Sequence, residues 1–94
     1  MSAKKSILVV DDDEALRQSL VEQLEVYEEF EATQAGCGAE ALAATKTENF
    51  DLMLLDVGLP DTDGRELCKV MRRNGIKVPI IMLTAADGDA DTIL

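Results

Sequence analysis

Apolar positions along this chain fall into two kinds of run. Short unbroken stretches, Ile7 to Val10, Leu52 to Leu55 and Ile80 to Leu83, alternate with segments in which apolar residues return every three or four positions. Successive strand side chains point to opposite faces, so an unbroken run of four would put every second one in water unless both faces are covered. Such runs suit a parallel sheet with helices on both sides. Phe30 to Ala35 reads as a weaker strand, and Gly36 and Gly38 mark the turn after it.

The periodic segments predict three helices. Leu16, Leu20, Leu24 and Tyr27 form an inward stripe, with Arg17, Glu22, Gln23 and Glu25 on the other side. Ala39 to Thr45 is a short alanine-rich helix with Ala41, Leu42 and Thr45 inward. The third carries Leu67, Cys68, Val70 and Met71; Asp63 with Glu66 has the spacing of a capping box, and Asn74-Gly75 closes it. Pro79 stands at the first position of the fourth strand, and a further helix is expected to start within Asp89 to Leu94.

The order β-α-β-α-β-α-β, without repeat or linker, predicts a single α/β domain over residues 1–94 with a parallel sheet and right-handed crossovers. Covering both faces of such a sheet requires the chain to reverse direction across it, which sets strand one beside strand three. Strand one ends in Asp11, Asp12, Asp13 and Glu14, and strand three ends in Asp56 before the turn residues Gly58, Pro60 and Gly64. Acids distant in sequence therefore converge at the sheet edge where open α/β folds bind ligands. One helix cap accounts for one aspartate, but not for three in a row.

Composition narrows the chemistry. Nineteen Asp and Glu against nine Lys and Arg give a net charge of −10, which argues against direct nucleic-acid contact and favours cations and basic surfaces. The chain has no histidine, and its two cysteines, Cys37 and Cys68, form no C-x-x-C pair, so a zinc site is not expected. Reduced thiols, the lack of a membrane-length apolar run and the lack of a signal peptide lead to a cytoplasmic expectation with no membrane partner.

Clustered carboxylates at a loop edge repel one another, and a divalent cation removes the conflict. Hard oxygen ligands of this kind suit Mg²⁺ together with phosphate oxygens. Asp56, alone at its strand end, is the candidate nucleophile for an aspartyl phosphate. Thr84, which ends strand four, could donate its hydroxyl to the same group, or could simply be a strand residue capping the next turn.

The acid cluster after ILVV, the aspartate within DLMLLDVGLPDTDG and the LTA after an apolar strand together resemble the receiver domain of two-component response regulators. The resemblance runs from about Ile7 to the end of the chain. It implies a flavodoxin-like sheet of strand order 2-1-3-4. It also implies a phosphoryl group taken by Asp56 from a histidine kinase or phosphotransfer protein, by a domain that is not a conventional enzyme but catalyses its own phosphorylation and dephosphorylation. Mg²⁺ would be bound directly by Asp12, Asp56 and the backbone carbonyl of Gly58, and by Asp11 largely through water; Thr84 would be the switch residue.

The sequence departs from that family in lacking a fifth strand with its lysine, and a fifth helix; no lysine follows Lys77. Activity is then expected to be impaired. Strands three and four are expected to be bare on the helix-one face, with an open edge at strand four and self-association as the outcome. The alternative is a receiver fragment that binds metal or partner without transferring phosphate. Other readings fit less well. A haloacid-dehalogenase-like phosphohydrolase would use Asp11-Asp12-Asp13 as its D-x-D, but Ala15 stands where threonine or valine belongs. Calcium loops at Asp87, Asp89 and Asp91 or at Asp61 to Gly64 lack required ligands, and a solvated acidic loop is the plainer reading of both.

Overall fold

The computed structural model describes residues 4–83 and 92–93. Its elements run β1 (Lys5–Val10), α1 (Glu14–Glu25), β2 (Phe30–Ala35), α2 (Gly38–Thr47), β3 (Leu52–Asp56), α3 (Gly64–Arg73), β4 (Ile80–Leu83) and β5 (Thr92–Ile93). The sheet order is β2-β1-β3-β4-β5, so the four longer strands take the 2-1-3-4 arrangement of a flavodoxin-like fold. All pairings among those four are parallel. The two-residue β5 is an addition, antiparallel to β4 with Ile81 opposite Ile93 and Met82 opposite Thr92. A helix was expected to start in this segment. Its two β-branched residues instead pair with the outer edge of β4, so among the described residues that edge is partly covered.

The sheet separates two cores. Leu8, Val10, Met53, Leu55, Ile80 and Met82 pack on one face against Ala41 of α2 and Leu67, Cys68 and Met71 of α3. The other core is small: Ile7, Val9 and Val21 are buried, with Leu20, Leu24, Leu52 and Leu54 half-covered around them. Thus the apolar run of β3 is not covered equally on both faces, because α1 is the only described helix packed on the second one. Among the described residues, Leu54, Ile81 and Leu83 are half-exposed there, where a bare face was expected, and Leu54 packs against the smaller core.

The inward stripe of α1 also needs correcting. Val21 is its buried residue, whereas Leu16 is 47% exposed and Tyr27, which lies beyond the helix end, 58% exposed. Residues spaced by four drift around a helix of 3.6 residues per turn, so one stripe cannot stay on a narrow sheet contact along its length.

Local signals explain the helix ends. Asp13 caps α1 by accepting from the Leu16 N–H at 3.1 Å. Asp63 caps α3 by accepting from the Arg65 N–H at 2.7 Å, but the expected reciprocal capping box is not what Glu66 forms; it turns to Lys69 at 3.4 Å. Gly75, at φ +82°, ends α3 in a Schellman arrangement: its N–H donates to the Arg72 carbonyl and that of Ile76 to the Met71 carbonyl. Asp87, Asp89 and Asp91 of the calcium-loop reading lie outside the described residues.

Candidate functional site: three carboxylates at the ends of adjacent parallel strands

β1 and β3 are neighbours in register, with Val10 opposite Leu55, so the residues that follow Val10 emerge beside Asp56. One carboxylate oxygen from each of Asp11, Asp12 and Asp56 lies within 4.8 Å of the others. The convergence expected from chain reversal is therefore present.

The three aspartates meet different surroundings. Asp11 is 4% exposed; its N–H extends the ladder to the Ala35 carbonyl, and its Oδ1 accepts from the Asp13 N–H at 2.9 Å. Arg17 anchors the same residue, donating from Nη1 to the Asp11 carbonyl at 2.7 Å and from Nε to Gln34 at 2.9 Å. Burial pushes the Asp11 carboxyl above its ordinary value, opposed by the Asp13 backbone hydrogen bond and reinforced by the charges of Asp56, Asp12 and Asp13. Asp12 is exposed and Asp56 half-buried. At such separations and an effective dielectric of about 20, two ionised carboxylates repel by about 3 kcal/mol, less where one faces water.

Asp56 is held in place by the loop that follows it. Its Oδ1 accepts from the Gly58 N–H at 3.3 Å, Gly58 pairs with Asp63 in an antiparallel bridge, and the Gly64 N–H donates to the Val57 carbonyl at 2.7 Å. The loop is thereby closed on itself beside the acid cluster. Thr84 lies outside the described residues; Leu83, which precedes it, is the register partner of Asp56.

Three other acids have structural duties. Asp13 and Asp63 are the helix caps described above. Asp61, read from sequence as part of a solvated acidic loop, instead accepts from the N–H groups of Gly38 at 2.8 Å and Ala39 at 3.0 Å, at the start of α2. These bonds, Gly38 first, hold its carboxyl below the usual carboxylate range. The D-x-D reading fails on the same ground, since Asp13 is turned to its cap rather than to the cluster. Sequence reasoning missed the anchoring roles of Arg17 and Asp61, whose partners lie up to 23 residues away.

The donor set suits a small hard cation. An octahedral Mg²⁺ with oxygens at about 2.1 Å has neighbouring ligands about 3 Å apart and opposite ones about 4 Å apart. The three carboxylates are within a small side-chain adjustment of that spacing.

The model of the response regulator receiver domain matches residues 7–94. The chain belongs to this family. This receiver is 44% identical over 90 residues to the alkaline phosphatase synthesis transcriptional regulatory protein PhoP of Bacillus subtilis (strain 168), covering 96% of this chain and 37% of that protein. It is 40% identical over 89 residues to the sensory transduction protein RegX3 of Mycolicibacterium smegmatis, covering 95% of this chain and 38% of that one. It thus spans a little over a third of the length of these curated relatives. Among solved structures, the Francisella response regulator 1452 receiver domain superposes with a TM-score of 0.84 at 34% identity, over 92% of this chain and 70% of that one. The Thermotoga maritima response regulator TrrA, solved in complex with Mg²⁺-BeF, gives 0.80 at 38% identity, over 88% of this chain and 71% of that one. Among the described residues of this receiver, no helix is long and apolar enough to cross a membrane.

Proposed function

We propose that this receiver is the phosphoacceptor of a two-component system, with Asp56 as the acceptor. The observation that carries this reading is the convergence of Asp11, Asp12 and Asp56 at the carboxyl ends of adjacent parallel strands. A carboxylate oxygen of Asp56 attacks the phosphorus of a phosphohistidine on a histidine kinase or phosphotransfer protein; the O–P bond forms as the N–P bond breaks, and the departing imidazole takes up a proton. Asp12, Asp56 and the Gly58 carbonyl would hold Mg²⁺ directly, and Asp11 would act through water. When bound, the ion supplies positive charge against the three phosphoryl oxygens. TrrA, a 38% identical relative, was crystallised with Mg²⁺-BeF, which supports the same chemistry here.

Asp11, buried and fixed by its turn, does not compete as nucleophile, while half-buried Asp56 is open to a phosphodonor. Thr84 is assigned as the switch that moves toward the phosphorylated aspartate. The domain would work in the cytoplasm without contacting nucleic acid itself, and the half-covered face around Leu54 would be where copies of the chain associate. Light scattering tests that last assignment; a monomer at high concentration overturns it.

Intact mass after incubation with a small phosphodonor and Mg²⁺ tests the reading. The mass of one phosphoryl group should appear in wild type and be absent in Asp56→Asn. No gain in wild type, or a gain that survives the substitution, overturns the acceptor assignment. Mg²⁺ binding without any gain would leave a receiver that holds an ion or a partner and does not transfer phosphate.

A further inference from the structure

The β3–α3 loop and the start of α2 are joined by one side chain. α2 opens at Cys37, whose backbone is extended at φ −157° and ψ 172° but whose side chain makes no capping hydrogen bond. The first free N–H groups of a helix need an acceptor, and here it comes from another loop. Asp61 spans both: Oδ1 accepts from Gly38 at 2.8 Å and Oδ2 from Ala39 at 3.0 Å. The contact is close-fitting, since a Cβ on Gly38 would lie 2.5 Å from the Thr62 Cγ2 and 3.2 Å from the Asp61 Oδ1. At its other end the loop holds Asp56 through the Gly58 N–H and folds back on Val57 through the Gly64 N–H.

We propose that Asp61 is a positioning residue: by clamping the loop tip to the first turn of α2, it fixes where Gly58 stands relative to Asp56. The part of this inference that concerns Mg²⁺ rests on the phosphoacceptor reading; the clamp itself does not. A helix lacking its own cap, served by a loop that borders the acid cluster, makes the order of α2 and the geometry of the cluster depend on each other. An acid serving only as a cap for α2 would be replaceable by a cap on α2 itself. Position 37 allows that substitution, because its backbone is already extended as an N-cap requires, so a serine hydroxyl there can accept from the first turn while Glu40 stays on the Gly36 N–H at 2.7 Å.

The test compares wild type, Asp61→Ala, and the double variant Asp61→Ala/Cys37→Ser, reading backbone amide exchange in the metal-free protein. In the double variant the amides of Ala41 and Glu48, bonded within α2 or its ends, should exchange as in wild type. Those of Leu59 and Gly64, both bonded to the Val57 carbonyl, should exchange several-fold faster. If loop protection returns together with helix protection, or never changes in Asp61→Ala, Asp61 is only a cap and the inference is overturned. Calorimetry adds a second readout: the double variant should bind Mg²⁺ about tenfold more weakly, the usual loss when a residue supporting a metal ligand is removed. Phosphoryl mass gain in wild type tests Asp56 alone, so failure of that reading and failure of the clamp are separable.

Discussion

Gly64 lies directly against the backbone of Asp56. A Cβ at position 64 would come within 2.6 Å of the Asp56 carbonyl oxygen and 2.9 Å of the Val57 Cα, both of them backbone atoms. The absence of a side chain is what allows α3 to begin beside the end of β3, so the glycine in the PDTDG segment is required by close approach rather than by its φ.

Gly64→Ala should therefore force the loop away from the acid cluster. Overpacking of this kind costs about 1–3 kcal/mol, and for a domain of this size each kcal/mol lowers the melting temperature by about 4–8 °C. Gly58→Ala is the matched comparison. A Cβ at position 58 meets nothing within 4 Å, so stability there should change by less than about 0.5 kcal/mol. Equal destabilisation of the two variants in thermal melts would contradict the close-approach account.

Asp11 supplies a prediction with a definite sign. Its folded-state carboxyl is shifted upward, first by burial and then, against its backbone hydrogen bond, by the neighbouring acids. A group whose pKa rises on folding favours the folded state fully below its unfolded pKa of about 3.9, and that contribution is lost as pH rises through the folded value. At neutral pH the carboxyl group therefore opposes folding. Asp11→Asn keeps an oxygen for the Asp13 N–H and removes the charge, so without metal it should raise the denaturation midpoint at pH 7. The gain should shrink as pH falls toward the unfolded pKa. A neutral-pH midpoint below wild type would show that the charge is already compensated.

Much of this arrangement was legible in the residues. Ile7 to Val10, Leu52 to Leu55 and Ile80 to Leu83 stop abruptly, two of them at aspartates, and the need to cover both faces sets strand one beside strand three, whereas the full order 2-1-3-4 came from the receiver resemblance. Asp61 and Arg17 were not legible, because their partners belong to other elements and no local spacing records a hydrogen bond across the sheet edge. Leu16 was misread for a related reason. Periodicity shows that a helix has an apolar stripe, but how far the sheet extends beneath it depends on neighbouring elements. The β5 segment is a similar case: Thr92 and Ile93 pair with Met82 and Ile81 of β4, a partnership that no local spacing records.

Arg17 tests one of those long-range anchors. Its guanidinium donates from two nitrogens to two acceptors, the Asp11 carbonyl and the Gln34 side chain. Lysine carries the same charge on a single nitrogen and cannot reproduce that fork. Arg17→Lys should cost about 1 kcal/mol in chemical denaturation, the usual net value of a lost hydrogen bond. An unchanged midpoint would mean that the anchor is freely replaced by water.

Mg²⁺ should stabilise the folded receiver, because the three oxygens are gathered only when β1 and β3 are paired. A ligand that binds the native state alone adds RT ln(1 + [L]/Kd), about 2.7 kcal/mol at a hundredfold excess over Kd. Millimolar Mg²⁺ should thus raise the melting temperature, and a chelator should reverse the rise. Asp12 separates this effect from general charge screening. It is exposed, and the caps and turns around it use Asp11 and Asp13 instead, so Asp12→Asn should leave the metal-free fold intact. By relieving repulsion it should, if anything, raise the metal-free melting temperature slightly, while most of the Mg²⁺-dependent rise disappears. A wild-type melting curve insensitive to Mg²⁺, or an equal rise in Asp12→Asn, would show that the convergent carboxylates do not form a cation site.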